Sequence, residues 1–426
     1  MKPRVVVTGI GAVSPNGIGR EIFWSATLQG KSGVRQIQSF DATSLPVKIA
    51  GEVVGFNPHD YISEKDAAHV SRVVPLAIAA AHEAIRDADL DPASMSLEER
   101  RRVAVLLGTG GGGQEFVQRQ LSLYLSGHAK QCSVYTIPSA TMGTLASEIS
   151  MHFGFRGFSH VISTGCTSST DALGYAMQNI QCGMADTVIC GGADAPLSFL
   201  IMKAFTLMRI LTTSWNHQPE RGSRPFSADR DGFVLGEGAW MFVLERYEQA
   251  VARGVHIYGE LAGYGSTCEA FHRVRLEENG EEPARAIQLA MQQAGITAEQ
   301  VGYVNLHGTS TELNDRIETR ALKLALGQRA YDVPCSALKS MIGHPQGACG
   351  AAGVAATLLA MRDNCLPPTI NLDVPDPDCD LDYIPRHCLP AKIHHAICNC
   401  IAFGSKNSAL VLSRVNGYQG DSPCSA

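Results

Sequence analysis

The chain has 426 residues, of which 45% are hydrophobic and 18% charged, an ordinary globular composition long enough for two or three folding units. Extended disorder is excluded, and 42 glycines without a Gly-X-Y period exclude a collagen. Lys and Arg total 35 against 41 Asp and Glu, a net charge of −6 with no basic block, so nucleic-acid binding is not expected; no apolar run reaches the length of a membrane span, so no membrane partner is expected either.

Met1-Lys2-Pro3-Arg4 leads straight into an apolar strand at 5–9, with no signal-peptide pattern. The 13 cysteines are scattered along the chain, so free thiols in a reducing cytoplasm are expected. No C-x-x-C pair occurs, and no metal site is expected. The first strand ends in Gly9-Ile10-Gly11, which reads as a strand followed by a turn. Residues 71–88 read as a helix and 102–107 as a strand stopping at Gly108. A strand at 160–163 precedes a small-residue helix over 166–182, and 187–190 is a buried strand ending at Gly191-Gly192. The polar segment 212–231, with Asn216, Pro219, Gly222 and Pro225, reads as an ordered surface loop over a site.

From 256 the pattern restarts. Strand 256–264 is followed by helix 283–294, strand 302–306, helix 317–326, strand 333–337 and a small-residue helix at 347–362, with strands 397–403 and 408–412 closing the order. Strands alternating with helices argue for parallel α/β layers. The restart argues for a duplicated unit, in element order rather than residue identity. The predicted division is an N-terminal half at 1–255, a C-terminal half at 256–415 and a flexible Gly/Ser/Pro-rich tail at 416–426.

Four segments carry reactive side chains. In Ser163-Thr164-Gly165-Cys166-Thr167-Ser168-Ser169 a strand ends, Gly165 permits a turn and Cys166 opens a helix. The unpaired N–H groups and positive dipole end at that point favour a thiolate and can hold an oxyanion. A buried structural cysteine fits the same spacing. His307 follows an apolar strand in Asn305-Leu306-His307-Gly308-Thr309-Ser310-Thr311, placed either for a site or as a satisfied polar residue. Lys339 and His344 share the turn 336–345, where a lysine is often a snorkelling surface group. Ile401-Ala402-Phe403-Gly404-Ser405-Lys406-Asn407 either offers a backbone N–H to a ligand or is a plain hairpin turn.

Taken together, Cys, Lys and two His at strand ends of a doubled α/β chain resemble the β-ketoacyl-acyl carrier protein synthases, the condensing enzymes of fatty acid and polyketide synthesis. The likeness runs from Val5 to Leu412 through Val7-Thr8-Gly9-Ile10-Gly11, Arg224-Pro225-Phe226, Arg230-Asp231-Gly232-Phe233, Gly236-Glu237-Gly238, His307 to Thr311 and Lys339-Ser340-Met341-Ile342-Gly343-His344. It implies a thiolase-type duplicated α/β/α/β/α layered sandwich. It also implies that Cys166 accepts the acyl group, that His307 and His344 support decarboxylation of a malonyl thioester, and that Lys339 holds the electrostatics with Glu318 as its ion-pair partner. The N–H groups of Cys166 and Phe403 would form a second oxyanion hole, and Thr309 and Thr311 would hold the pantetheine arm. Within the superfamily that the chain resembles, thiolases and chain-initiating synthases usually use Cys-His-Cys or Cys-His-Asn sets, so the resemblance, with two histidines, implies decarboxylative elongation of malonyl-carrier protein.

The segments 165–175 and 193–196 are similar to ketosynthase subunits of type II polyketide systems. Gly111, in Gly110-Gly111-Gly112-Gly113, stands where fatty acid enzymes often carry a bulky aliphatic residue, which implies a roomier acyl pocket. Lys406 beside Phe403 departs from the family pattern and reads as a surface residue or an adjuster of the pocket entrance. The implied partner is an acidic acyl carrier protein, docked at Arg209, Lys65 and Arg72, with substrates on its phosphopantetheine arm and no tightly bound cofactor. A homodimer is expected, with a heterodimer with a chain-length-factor-like subunit as the alternative. The rival readings are a housekeeping fatty acid elongation synthase, a non-catalytic scaffold subunit and a papain-like cysteine hydrolase.

Overall fold

The computed structural model describes residues 2–415, and the predicted tail at 416–426 lies outside the described residues. Strand β1 (Val5–Ser14) runs on through Gly9-Ile10-Gly11, where the sequence predicts a turn. The glycines serve a close approach instead. Helix α1 (Val73–Asp87) crosses the strand so tightly that a Cβ at Gly9 would stand 2.0 Å from the Ala84 carbonyl oxygen, and one at Gly11 1.9 Å from that of Ala80. Glycine in the strand and alanine in the helix let the two backbones touch.

Beside the two-residue strand Gly17–Ile18, which folds back on β1, the sheet contains β2 (Val103–Gly108), β3 (Ser159–Ile162), β4 (Thr187–Asp194), β5 (Gly238–Arg246), β6 (Gly259–Cys268), β7 (Val301–Asn305), β8 (Cys335–Ser336), β9 (His395–Ala402) and β10 (Lys406–Ser413). Its spatial order is β8-β7-β9-β10-β6-β1-β5-β4-β2-β3. Counted outward from the centre, one side runs β1-β5-β4-β2-β3 and the other β6-β10-β9-β7-β8, the same order in both. Directions repeat too: two antiparallel pairings, then two parallel ones. The sides meet where β1 pairs antiparallel with β6.

Helix α2 (Ser168–Gln181) follows β3 across a tight turn. Helix α3 (Glu281–Ala294) packs on β6 as α1 packs on β1: a Cβ at Gly263 would stand 2.0 Å from the Ala290 carbonyl oxygen, and one at Gly265 2.1 Å from that of Ala286. The repeat therefore reaches individual residues, further than the element order alone indicates.

Successive strand residues face opposite ways. Val103, Val105 and Leu107 pack outward on α1. Val301, Val304, Ile397 and Val411 pack outward with α3 and helix α4 (Glu312–Leu326). Ala104, Leu106, Ala396 and Cys398 face inward, onto α2 and helix α5 (Cys349–Asp363). The two inner helices touch so closely that a Cβ at Gly350 would meet the Thr170 Oγ1 at 2.1 Å. Helices thus lie outside, between and outside the two sheet halves, the layered α/β/α/β/α sandwich expected from the resemblance.

The segment 212–231 is not a surface loop throughout. Residues 222–227 are buried and run behind Lys339 and the His307 turn. Ser223 Oγ donates to the Lys339 carbonyl at 2.6 Å, and the Phe226 N–H donates to Asp315 at 2.8 Å. Buried Arg230 binds Asp376 at 2.7 Å and Asp315 at 3.3 Å. Its polar residues satisfy buried backbone, a requirement that reads as a loop in sequence but fixes an interior segment. Among the described residues no helix is long and apolar enough to cross a membrane.

Candidate active site

The ends of β3, β7, β8 and β9 converge at the start of the two inner helices, where an α/β layer gathers its reactive groups. Cys166 sits in a 3-10 turn, Gly165–Thr167, directly ahead of α2 rather than inside it. Gly165 carries φ 74°, a left-handed conformation that glycine adopts without strain. Cys166 Sγ lies 3.2 Å from His344 Nε2, and the Phe403 backbone N–H is directed at the sulfur. Burial pushes the thiol up to about 12, reinforced by Cys349 and opposed by Lys339 and the Phe403 N–H. The resting group is therefore a thiol against an imidazole. The thiolate that a helix N-terminus favours is outweighed here by desolvation.

His307 and His344 are both buried, with their rings 5.4 Å apart and near perpendicular. Burial, with a smaller push from Lys339, drives His307 down to about 3. Burial likewise lowers His344. Both rings are neutral at pH 7 and able to donate one N–H each. Lys339 Nζ lies 3.2 Å from His307 Nδ1 and also binds the His307 carbonyl. An ammonium has donors only, so Nδ1 accepts and the ring proton is held on Nε2.

Glu318 does not pair with Lys339, contrary to the sequence expectation. Its carboxylate accepts the backbone N–H groups of His307 and Gly308 and the Asn399 Nδ2, each at 2.7 Å. Burial pushes it up to about 7 against those donors. Glu318 is a clamp on the His307 turn, and Asn399, its partner from β9, was not read from sequence. Glu318→Gln replaces one acceptor with an NH₂ facing N–H donors. It is expected to destabilise the fold by about 2–3 kcal/mol, measured by the shift in urea midpoint; an unchanged midpoint would contradict the clamp.

Three further residues enter that sequence reading missed. Asp194, buried at the end of β4, accepts from Thr109 Oγ1 at 2.7 Å and from the N–H groups of Gly110 and Gly347 at 2.7 Å, tying the glycine loop to the His344 turn. Cys349 and Cys400 both donate to the Cys166 carbonyl, at 3.2 and 3.0 Å. Their only sequence signal is polarity inside otherwise apolar buried elements.

A cavity of about 140 Å³ opens onto Cys166, His307 and His344. Ile210, Phe233, Leu276 and Phe403 line it, with Thr309 and Thr311, whose hydroxyls bond at 2.9 Å. Gly111 does not line this cavity. Its N–H binds Asp194, and a Cβ there would meet the Gln114 side chain at 3.0 Å. Lys406 begins β10, also outside the lining. Arg209, next to Ile210, is exposed and without an ion pair among the described residues, and Arg275, not singled out from sequence, lines the rim. Lys65 is exposed on a short helix, Glu64–Ala67. Arg72 is not available for docking: it binds Glu237 at 2.7 and 3.0 Å and the Val53 carbonyl at 2.8 Å.

The sequence matches the Beta-ketoacyl synthase N-terminal domain over residues 2–250 and the Beta-ketoacyl synthase C-terminal domain over 258–373. It is 38% identical to a 3-oxoacyl-[acyl-carrier-protein] synthase 2 of Synechocystis sp. over 413 residues, 97% of this chain and 98% of that protein. It is 40% identical to the tetracenomycin polyketide synthase ketoacyl synthase alpha subunit of Streptomyces glaucescens over 422 residues, 96% of this chain and 97% of that one. Among solved structures, the ishigamide ketosynthase/chain length factor matches with a TM-score of 0.90 at 32% identity, covering 98% of this chain and 100% of that one. A type II PKS acyl-carrier protein in complex with its ketosynthase bound to the hexaketide matches at 0.88 and 33%, with the same coverage. Both family domains, in order and across a duplicated sandwich of this topology, place the chain in the β-ketoacyl synthase family.

Proposed function

We propose that this enzyme carries out decarboxylative Claisen condensation on acyl-carrier-protein thioesters, as a ketosynthase of type II polyketide or specialised lipid synthesis. The observation that carries the reading is one thiol, Cys166, set 3.2 Å from His344 beside a second neutral imidazole whose proton Lys339 fixes on Nε2. Cys166 gives its proton to His344 Nε2 as its sulfur attacks the acyl thioester. A new S–C bond forms and the pantetheine thiol leaves with the proton. The malonyl thioester then enters beneath Thr309 and Thr311. The His307 Nε2–H, joined by the His344 Nε2–H once that ring's proton has moved across from Nδ1, stabilises its oxygen as the bond to the carboxylate breaks and carbon dioxide departs. The resulting enolate carbon attacks the acyl–Cys166 carbonyl, with the Cys166 and Phe403 N–H groups receiving the oxyanion, and the sulfur leaves to be reprotonated. A lone cysteine hydrolase would use one imidazole, and a scaffold subunit would not need the thiol.

The test is mass spectrometry of products after mixing the chain with acyl- and malonyl-carrier protein. A β-ketoacyl product two carbons longer supports the reading, and absence of both acylated Cys166 and product with every carrier tested opposes it. Chain preference separates polyketide from fatty acid elongation, since relatives of both kinds stand at 38–40% identity. Acylation without extension points to a missing chain-length-factor-like subunit rather than a homodimer.

Docking of the acidic carrier is assigned to Arg209 and Lys65, the exposed cations of the predicted set. Arg209→Glu is expected to raise KM for carrier-bound substrate about three- to tenfold, with a weaker salt dependence and no change toward a small pantetheine thioester. Equal KM changes for both substrates would reject a docking role.

A further inference from the structure

Two further thiols lie behind the nucleophile. Cys349 opens α5 and Cys400 sits in β9, 51 residues apart in sequence, and their sulfurs stand 3.6 Å from each other. Both side chains are buried, 6% and 2% exposed. At that distance two sulfurs are in van der Waals contact with nothing between them. Both also donate to the Cys166 carbonyl. They therefore meet the nucleophile from its backbone side, while its own sulfur is directed at His344 and the cavity. The proposed condensation uses neither of them. Their pairing does not show in the sequence, where no C-x-x-C motif joins them.

The surroundings suit oxidation of this pair. Lys339, Cys349 and Cys400 line one interior gap of about 10 Å³. A neighbouring ammonium favours thiolate over thiol, and the thiolate is the form that reacts with peroxides. The gap is about what one water fills, so the oxidant that fits is hydrogen peroxide and not a disulfide of glutathione size. A bond between the two sulfurs also acts on the site. Cys349 lies five residues after His344, and Cys400 three before Phe403. These are the two segments whose imidazole and N–H face the Cys166 sulfur. Joining the sulfurs shifts both segments, and a disulfide has no S–H left to donate to the Cys166 carbonyl.

We propose that Cys349 and Cys400 form a peroxide-sensitive modification site whose disulfide reversibly slows the Cys166 nucleophile. One sulfur gives up its proton and attacks a peroxide oxygen. The O–O bond breaks, hydroxide leaves and takes up that proton as water, and a sulfenic acid remains. The second sulfur attacks the sulfenic sulfur. The S–S bond forms, the S–O bond breaks, and a second water leaves with the second thiol's proton. Two thiols are thus oxidised by two electrons, and one hydrogen peroxide is reduced to two waters. A dithiol reductant reverses the bond by exchange. The step needs the two sulfurs alone and not the condensation reaction, so it stands or falls separately from the proposed function.

The test treats the purified, reduced full chain with hydrogen peroxide and stops the reaction with catalase. One portion is digested without reductant for peptide mass spectrometry, and in another the iodoacetamide alkylation rate of Cys166 is followed. A cross-linked pair of peptides carrying Cys349 and Cys400 is expected, in Cys166→Ala as well as in the unmodified chain, and dithiothreitol removes it. The same treatment is expected to slow Cys166 alkylation about tenfold, with recovery in dithiothreitol. Cys349→Ser and Cys400→Ser each keep a hydroxyl donor for the Cys166 carbonyl but cannot form the bond, so peroxide is expected to leave their own Cys166 rates where they were. Absence of the pair, a pair that includes Cys166, or a pair that leaves the Cys166 rate unchanged would overturn the proposal. So would equal slowing in the two serine variants, which would place the oxidation on Cys166 itself. A chain that forms the pair yet gives no β-ketoacyl product contradicts the proposed function and leaves the disulfide site standing.

Discussion

Cys166→Ala is expected to abolish condensation, lowering β-ketoacyl product formation by at least about 10⁴-fold, while malonyl-carrier protein still loses carbon dioxide. The two half-reactions use different atoms. Acyl transfer requires a sulfur to bond the acyl carbon, and alanine supplies none. Decarboxylation requires donors on the malonyl thioester oxygen, and those are imidazole N–H groups positioned without the sulfur. His307 is fixed by Lys339 at 3.2 Å and by Glu318 through its own N–H at 2.7 Å. The backbone of His344 is held by its N–H to the Val234 carbonyl at 2.7 Å and by the Gly236 N–H to its own carbonyl at 2.9 Å. Decarboxylation within about tenfold of the unmodified enzyme is therefore the expected result, followed as carbon dioxide release and as acetyl-carrier protein by mass spectrometry. Preserved elongation would remove Cys166 as nucleophile. Loss of both activities in a folded variant would show that the histidines depend on the thiol.

The separation of these roles was partly legible in the sequence. Cys166, His307 and His344 each stand beside glycine at a strand end or turn, and Lys339 shares the turn of His344, a local pattern, and strand ends converge in a layered α/β fold. What was not legible depends on contacts between distant segments. The family resemblance implies an ion pair between Lys339 and Glu318. In the fold, Glu318 on α4 turns to the backbone of the His307 loop while Lys339 reaches the ring. Arg72 looks like a free surface cation until Glu237, distant in sequence, arrives at 2.7 Å. Gly9 and Gly11 look like a turn, because glycine in a strand signals either a turn or a close crossing and only the position of α1 decides. The same misreading hid the residue-level repeat: Gly263 and Gly265 meet Ala290 and Ala286 as Gly9 and Gly11 meet Ala84 and Ala80.

The strongest consequence of that three-dimensional arrangement concerns Lys339. Lys339→Met keeps most of the buried volume but removes the donor at His307 Nδ1. Without it, the only group left at that nitrogen among the described residues is the Cys400 thiol, 3.3 Å away and already directed at the Cys166 carbonyl, so the ring proton is no longer fixed on Nε2 and a fraction of the enzyme presents a lone pair where the developing enolate oxygen needs a donor. Removing one such donor is expected to cost about 10²–10³-fold in decarboxylation, while acylation of Cys166 falls much less because His344, not His307, touches the sulfur. A pH profile distinguishes this from simple damage. Lys339 is one of the two main influences lowering His307 to about 3, after burial. Removing a nearby positive charge favours the protonated ring, so the His307 pKa rises, by about one to two units. An imidazolium carries N–H on both nitrogens, so protonation restores the Nε2 donor that the wrong tautomer lacks; decarboxylation by the variant is therefore expected to recover as the pH falls toward the raised pKa, where the unmodified enzyme stays flat. A variant that decarboxylates within threefold of the original, with an unshifted profile, would assign Lys339 to stability alone. A loss confined to Cys166 acylation would instead place its charge in service of the thiol, the other group on which it acts across the same few ångströms.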